Sequence, residues 1–271
     1  MKAHHHLAAR YARPLTATAI LLTSAGLSQT TAPQVPDWAQ PASATHTQVA
    51  PPLDFHRPAR IDNTPLGLFQ AQADIGAAVV PGSSSFDSAR KQYTITSAGY
   101  NVWYTRDEFR YLYKQMSGDV SLAADIAYPD PNGYGDRKAV LVIRQSLDDD
   151  SKEAVVALHG AGMIHLAHRD QPDTRMRDLE FRMGERGALP NNPDHLVPTI
   201  AKRIGLEKHG DSFTLFVSLQ SEPMHPFGPP IQLHLEGPFY VGIGFCSHLP
   251  ATLDTAVLSN VVLENVAGKV R

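Results

Sequence analysis

The residues around Trp103 are of the types that recognise sugars. Aromatic, amide and carboxylate side chains surround this tryptophan: Tyr100, Asn101, Tyr104, Asp107 and Glu108. An aromatic ring stacks on the apolar face of a sugar, while planar polar groups bond to its hydroxyls. The stretch is therefore a candidate carbohydrate site. The alternative is that Trp103 packs in a protein core.

Two neighbouring apolar runs carry a charged residue at the ends that face each other along the chain. Arg144 closes the run Ala139–Gln145, and Glu153 opens the run Glu153–Leu158. A tight hairpin would place Glu153 opposite Arg144, and the next hairpin would bring His168 towards Glu153, although a slip of one residue would move these contacts. Because an unpaired buried charge is costly, we expect a structural ion pair between Arg144 and Glu153. Contact with a ligand is the alternative for both.

Several histidines lie at expected strand ends or turns, where loops could bring some of them together. His165 and His168 have a spacing that suits a metal on a helix, but on a strand their side chains point to opposite faces. We therefore predict neither a metal site nor a catalytic residue. The candidate ligand-binding residues are Trp103, Asp107, Glu108, Arg144, His159 and His248.

One loop offers oxygen ligands of the kind that calcium prefers. Asp130, Asn132 and Asp136 lie in one loop with Gly133 and Gly135, which permit a tight bend. The loop lacks the glutamate and the spacing of a helix-loop-helix calcium site. We expect a plain turn and no cofactor, with Ca²⁺ at these three residues as the alternative.

An enzymatic function would need a pair of carboxylates or a nucleophile. A glycosidase uses two carboxylates about 5–10 Å apart, but Asp107 and Glu108 are adjacent and would face opposite ways on a strand. Glu207 could meet Glu108 across a sheet. A Gly-x-Ser-x-Gly elbow and a phosphate-binding glycine loop are both missing. We expect a non-catalytic protein, with a glycoside hydrolase that uses acidic residues on a concave sheet as the alternative.

The elements that must position these residues are strands. Apolar or alternating runs recur between turn signals, and no long helical period interrupts them. This pattern predicts an all-β, antiparallel two-sheet sandwich, in which Cys246 is a buried apolar residue rather than a nucleophile. The expected strands are Tyr93–Ser97, Asp107–Gln115, Val120–Ala127, Ala139–Gln145, Glu153–Leu158, Met163–His168, Ala201–Lys208, Phe213–Leu219, Tyr240–Cys246 and Thr255–Leu263.

The first sixty-odd residues have a different composition. A positive amino end precedes a short apolar stretch and the small residues Thr23, Ser24 and Ala25, which is the pattern of a secretory signal peptide over residues 1–28. Prolines then mark a disordered linker over 29–65. We expect a folded domain over 66–268, a secreted or periplasmic location and no retained membrane segment.

Charge restricts the partners of the expected domain. The chain has 24 Lys and Arg residues and 27 Asp and Glu residues. Residues 1–62 contain five of the basic and three of the acidic residues, so the rest has 19 basic and 24 acidic residues and a net charge of -5. A protein that grips phosphate backbones is basic, so we expect no nucleic acid partner. A neutral polysaccharide, another cell-envelope component or an envelope protein fits better.

An ordered set of short motifs resembles a known domain class. The set comprises Asp74-Ile75-Gly76, Gly82-Ser83, Tyr93-Thr94-Ile95, Gly99, Val102-Trp103, Asp107-Glu108-Phe109, Gly118-Asp119, Val140 to Arg144, Ser146-Leu147-Asp148, His159-Gly160, Leu206-Glu207, Gly210-Asp211-Ser212-Phe213, Val241-Gly242, Ser247-His248 and Ser259-Asn260-Val261. It resembles the concanavalin A-like, laminin G-like jelly-roll domain of secreted bacterial proteins, including the domain that follows TolB-like propellers in proteins labelled biopolymer transporters.

The resemblance implies a jelly-roll fold, export and contact with carbohydrate. Fold alone does not establish function, so three functions follow as expectations. The first is a non-catalytic module that binds carbohydrate or another envelope polymer. The second is the glycan-active hydrolase considered above, and the third is a scaffold that binds an envelope protein through a sheet face.

Overall fold

Apolar and alternating runs form strands throughout the part of the chain that the structure describes. The computed structural model describes residues 56–182, 184–185, 197–198, 201–219 and 222–271, and the side chains of 180–182, 184–185 and 197–198 are left out. The strands are β1 (Arg60–Asp62), β2 (Ala71–Ile75), β3 (Ser83–Asp87), β4 (Gln92–Ser97), β5 (Val102–Trp103), β6 (Arg106–Asp107), β7 (Phe109–Met116), β8 (Val120–Ala127), β9 (Lys138–Arg144), β10 (Glu153–His159), β11 (Met163–Arg169), β12 (Arg177–Arg182), β13 (Gly184–Glu185), β14 (Val197–Pro198), β15 (Arg203–His209), β16 (Ser212–Ser218), β17 (His225–Pro226), β18 (Ile231–Gln232), β19 (Phe239–Cys246) and β20 (Asp254–Glu264).

Most strands belong to two eight-stranded antiparallel sheets. Sheet I has the order β1-β2-β7-β19-β9-β10-β11-β12. Sheet II has the order β17-β16-β15-β8-β20-β4-β3, with β18 also paired to β16. The chain crosses from β7 in sheet I to β8 in sheet II and returns to β9 in sheet I. The late strands β19 and β20 lie in the centres of sheets I and II. These crossings are those of a jelly roll, so the predicted antiparallel two-sheet sandwich is confirmed.

Alternate residues of sheet I pack on its two faces. Leu141, Ile143 and Val241 join residues of sheet II in the core between the sheets. Their neighbours Val140 and Val142 belong to a second apolar cluster on the opposite face, here called the outer face of sheet I. Because a strand alternates its side chains, an apolar run on both faces indicates that both are covered.

Strand β7 corrects one expectation about the faces of a strand. The sequence places Phe109, Tyr111 and Tyr113 on one face and Glu108, Arg110, Leu112 and Lys114 on the other, which suggests that one face is core and the other is wetter. In the structure Leu112 packs in the core between the sheets, whereas the three aromatic residues pack on the outer face. Both faces therefore bury apolar surface, and aromatic rings mark the covered outer face.

The ten expected strands are all present, with ends that differ by no more than two residues. The sheet begins earlier than the expected boundary at residue 66, because Arg60–Asp62 pairs with β2. Cys246 is buried, as predicted, and burial raises the pKa of its thiol to about 11. The predicted signal peptide and the linker up to residue 55 lie outside the described residues. Within the described part, no helix is long and apolar enough to cross a membrane.

Candidate functional site

Trp103 lies on a short hairpin that rests on the outer face of sheet I. Strands β5 and β6 pair Val102 with Asp107 and Trp103 with Arg106, and Tyr104 at the turn has a φ of 44°. Val102 is buried in the outer-face cluster, while Trp103 packs at the edge of this cluster and stays partly exposed. The hairpin, which we call the Trp103 hairpin (residues 102–107), therefore presents an aromatic ring beside a covered sheet face.

A buried ionic network anchors this hairpin to the sheet. Asp107 accepts two hydrogen bonds of 2.8 Å from the guanidinium of Arg169. Arg144 Nη2 donates to Asp107 over 3.2 Å, and each arginine lies 3.3 Å from a Glu153 oxygen. All four side chains are fully buried, at 0% exposure. Two arginines and two carboxylates thus fix β6 against β9, β10 and β11.

The strand register explains the members of this network. Glu153 pairs directly with Arg144 and with Arg169, so the predicted Arg144–Glu153 ion pair is confirmed. The expected neighbour His168 is wrong by one residue, because His168 pairs with Ala154 and its Nε2 lies 3.0 Å from an Asp170 oxygen. A shift of one residue moves a side chain to the other face of the sheet.

Burial also determines the ionisation within the network. Burial, followed by the neighbouring Asp107 carboxylate, raises the pKa of Glu153 to about 8. The pKa of the Arg169 guanidinium is raised by the two carboxylates despite its burial. Asp107 and Arg144 are enclosed in this network, so they position the hairpin rather than contact a ligand.

An aromatic and imidazole cluster lies under the exposed ring of the hairpin. The Trp103 ring lies 5.1 Å from the His165 ring, whose Nδ1 lies 3.2 Å from Nε2 of His159. The Lys138 ammonium is 5.9 Å from the Trp103 ring centre and donates to Asn101 Oδ1 over 2.5 Å. Lys138 begins β9 and His159 ends β10, and because the two are cross-strand partners they lie at the same end of sheet I, next to the hairpin.

A second aromatic stack lies at the beginning of β9. Tyr134 is 37% exposed and its ring lies 5.4 Å from that of His248, with an interplanar angle of 12°. His248 stacks in turn on Tyr100, which belongs to the same apolar cluster as Trp103. Asp136 is exposed and lies 3.7 Å from His159. This end of the outer face, here called the aromatic end, thus combines two partly exposed rings with an exposed carboxylate.

The candidate residues divide into two groups and one separate carboxylate. Trp103, His159 and His248 belong to the aromatic end, whereas Asp107 and Arg144 belong to the buried network. Glu108 belongs to neither group: its Oε2 lies 3.7 Å from the Arg57 guanidinium, its carboxylate accepts from the backbone of Tyr100, and burial raises its pKa to about 7. The groups lie side by side because the hairpin connects them.

The pairing of Glu108 with Glu207 that a hydrolase could have used does not form. Glu207 is on β15 in sheet II, where its carboxylate accepts from Ser121 and from the backbone of Gly268. Glu108 lies between β6 and β7, at the edge of the hairpin and sheet I. The two carboxylates therefore belong to different parts of the fold.

Sequence reasoning missed several residues of the site. Arg169 was placed outside the network, and Lys138, His165 and Tyr134 were not selected. The alternation of His165, Ala167 and Arg169 on the Glu153 face could have revealed two of them, once the register was known. Tyr134 sits in a loop, where no periodicity predicts its direction.

Two places could be considered for a cation. In the loop of Asp130, the Arg137 guanidinium donates to the Asp130 carbonyl over 2.5 Å and to Asp254 over 2.8 Å. Asp130 Oδ1 meanwhile accepts from the backbone of Asn132. Elsewhere, the side chains of His56, Asp149 and Asp150 bring ligand atoms within 4.8 Å of one another, next to Arg106. A guanidinium thus supplies positive charge at both places.

The two buried histidines give a pH-dependent prediction. Burial is the main cause that holds the pKa values of His159 and His165 well below 6.5, so both stay neutral in the fold. The unfolded chain takes up these protons near pH 6.5, so the histidines make stability fall as pH drops below this value. Chemical unfolding between pH 7 and 5 should show a weaker fall for His165→Gln than for the unsubstituted chain. Equal slopes would contradict the assigned protonation state.

Comparisons with known proteins concern the fold. No known family model matches the chain, and no curated protein matches it in sequence. A functionally unknown protein from Saccharomyces cerevisiae is 12% identical to this chain, with a TM-score of 0.49. The match covers 70% of this chain and 95% of the yeast protein. The carbohydrate binding module CBM66 from Bacillus subtilis is 16% identical, with a TM-score of 0.41, and covers 68% of this chain and 92% of its own. The alginate lyase from Klebsiella pneumoniae is 11% identical with a TM-score of 0.44, and the match covers 69% of this chain and 85% of the lyase.

Proposed function

We propose that the chain is an exported, non-catalytic module that binds carbohydrate of the cell envelope at the aromatic end. The observation that carries the proposal is the partly exposed Trp103 ring on an anchored hairpin. Tyr134 supplies a second exposed ring, and Asp136 supplies a hydrogen-bonding carboxylate. An aromatic platform that is held in place before binding loses little conformational freedom when a sugar stacks on it.

The geometry of the carboxylates favours binding over hydrolysis. A retaining or inverting glycosidase requires two carboxyl groups that face the sugar. Asp107 and Glu153 are enclosed with two arginines, and Glu108 faces Arg57. The carboxylate of the aromatic end is Asp136, which lies 3.7 Å from the His159 ring nitrogen. The domain's net charge of -5 favours a neutral glycan over an acidic one.

The proposed location and partner rest on the sequence. The signal-peptide pattern of residues 1–28 supports export to the periplasm or beyond. The resemblance to the jelly-roll domains that follow TolB-like propellers supports a polysaccharide or another envelope component as the partner. If no glycan binds, the chain is better explained as a scaffold that binds an envelope protein.

Affinity electrophoresis tests the proposed function. The chain is run in native gels that contain a neutral polysaccharide, such as dextran, xylan or a β-glucan, or an anionic one, such as alginate. We expect slower migration with at least one neutral polymer and no reducing sugar released on long incubation. Unchanged migration with every polymer would contradict carbohydrate binding, and release of reducing sugar would favour the hydrolase.

Calcium should have little effect on this protein. The Arg137 guanidinium occupies the loop in which Asp130, Asn132 and Asp136 could otherwise bind Ca²⁺, and two like charges repel. A ligand that binds only the native state raises its melting temperature. We expect the same Tm, within about 1 °C, in millimolar calcium and in EDTA. A rise of several degrees with calcium would instead indicate a cation site.

A further inference from the structure

A cleft at the edge of sheet II lies apart from the aromatic end. It has a volume of about 360 Å³, and its walls come from the β3–β4 hairpin, the turn before β2 and the bulge in β20. This volume falls within the range that holds a small molecule. Neither the buried network nor the aromatic end contributes a residue to it.

The inner surface of the cleft is apolar. The rings of Phe86 and Tyr93 lie 4.5 Å apart, and Val261 of the β20 bulge and Leu68 complete the lining. Leu68 is 48% exposed, although it is a large apolar residue. Its backbone donates to the Tyr93 hydroxyl over 2.7 Å, so the turn that carries Leu68 is held beside the aromatic rings.

The rim of the cleft carries one cation. Lys91 lines the cleft and is exposed, and among the described residues no ion pair or hydrogen bond engages its ammonium. None of the described residues that line the cleft is a carboxylate, and the nearby Asp87 bonds instead to Arg90. The rim is therefore complementary to a single negative charge.

The backbone at the rim is unusual for its residues. Lys91 and Asn260 have positive φ values of 52° and 49°. A left-handed conformation favours glycine and is costly for lysine, and such positions cluster at functional sites. Asn260 lies in the bulge of β20, another feature that recurs beside binding sites.

We propose that this cleft binds a small amphipathic acid, a molecule with an apolar body and one anionic group. The apolar body packs on Phe86, Tyr93 and Val261, with Leu68 covering it. The anionic group lies at Lys91, on the rim that Ser88 also lines. Asn260 shapes this rim but is held to sheet II, because its side-chain amide donates to the Asp125 carboxylate over 2.6 Å. The site is independent of carbohydrate binding.

The fluorescence of anilinonaphthalene sulfonate with the full chain tests this site. We expect saturable binding at one site, displaced by octanoate and only weakly by octanol at the same concentration. Leu68→Ser should weaken binding by about ten-fold, because an apolar wall is lost. Leu253→Ser, at a residue of similar exposure elsewhere, should leave it unchanged.

Lys91→Asn removes the cation and keeps a residue that tolerates the left-handed backbone. We expect about five-fold weaker binding of the probe, while Lys202→Asn, at another exposed lysine, has no effect. Trp103→Ala should leave probe binding unchanged. Non-saturable binding, equal displacement by octanol, or equal effects of Leu68→Ser and Leu253→Ser would overturn the proposal.

Discussion

Asp107→Asn should lower the free energy of unfolding by about 3–5 kcal/mol, the range for removing one partner of a buried ion pair. Asp107 accepts both 2.8 Å hydrogen bonds from Arg169 and one from Arg144, all without contact to solvent. An amide has one acceptor oxygen and would turn its N–H groups towards these donors. Urea unfolding followed by circular dichroism at pH 7 measures the loss.

Asp170→Asn is the matched control, since it makes the same change in a surface ion pair. Asp170 is 35% exposed and contacts Arg177, which is 75% exposed, so the cost should be below about 1 kcal/mol. Similar losses for the two variants would show that the buried network does not anchor the hairpin.

Glu153→Gln should cost far less than Asp107→Asn, although the two carboxylates share a network. Burial and the neighbouring Asp107 carboxylate raise the pKa of Glu153, so the fold disfavours its ionised form more than that of an exposed glutamate, and an amide resembles the neutral acid. Because its pKa is raised, Glu153 keeps its proton to a higher pH in the native state than in the unfolded chain, so it makes stability fall as pH rises above about 4.5. Glu153→Gln should flatten this fall in unfolding experiments, and an unaltered slope would contradict the assignment.

Trp103→Ala should weaken binding to the recognised polysaccharide by about ten- to a hundred-fold. The expected loss corresponds to about 1.5–3 kcal/mol for an aromatic ring that a sugar buries. The ring is not needed for the main core, because Trp103 packs at the edge of the outer-face cluster. Affinity gels over a range of polymer concentrations give the two dissociation constants.

The other tryptophan of the chain provides a control for this prediction. Trp38 lies in the predicted linker, so Trp38→Phe should leave the affinity unchanged. If Trp103→Ala binds as well as the unsubstituted chain and has the same unfolding curve, Trp103 does not belong to the site and the polysaccharide binds elsewhere on the chain.

The long strands could be predicted from the sequence because burial enforces their alternation. Ala139–Gln145 is apolar at every position before Arg144, and it becomes a central strand covered on both faces. Short or polar strands carry too few residues for a period, so β1, β3 and the Trp103 hairpin were not recognised. Arg60–Asp62, for example, is exposed at all three positions.

The site was harder to predict than the fold, because it depends on register and loops. The Arg144–Glu153 pair followed from a tight hairpin, but a one-residue error in the next hairpin selected His168 in place of Arg169. Burial of Asp107 and Arg144 depended on a hairpin folding over the sheet, which strand patterns do not reveal. Tyr134 and His248 meet through two separate loops, so their stacking required the structure.

The fluorescence of Trp103 itself tests the central claim most directly. In a Trp38→Phe chain, Trp103 is the sole tryptophan, since the sequence has two. Titration with short oligosaccharides of the polymer retained in affinity gels should shift its emission to shorter wavelength, saturate, and protect the ring from iodide quenching. Emission and quenching that do not change while the oligosaccharide binds would place the sugar elsewhere and contradict a binding site at Trp103.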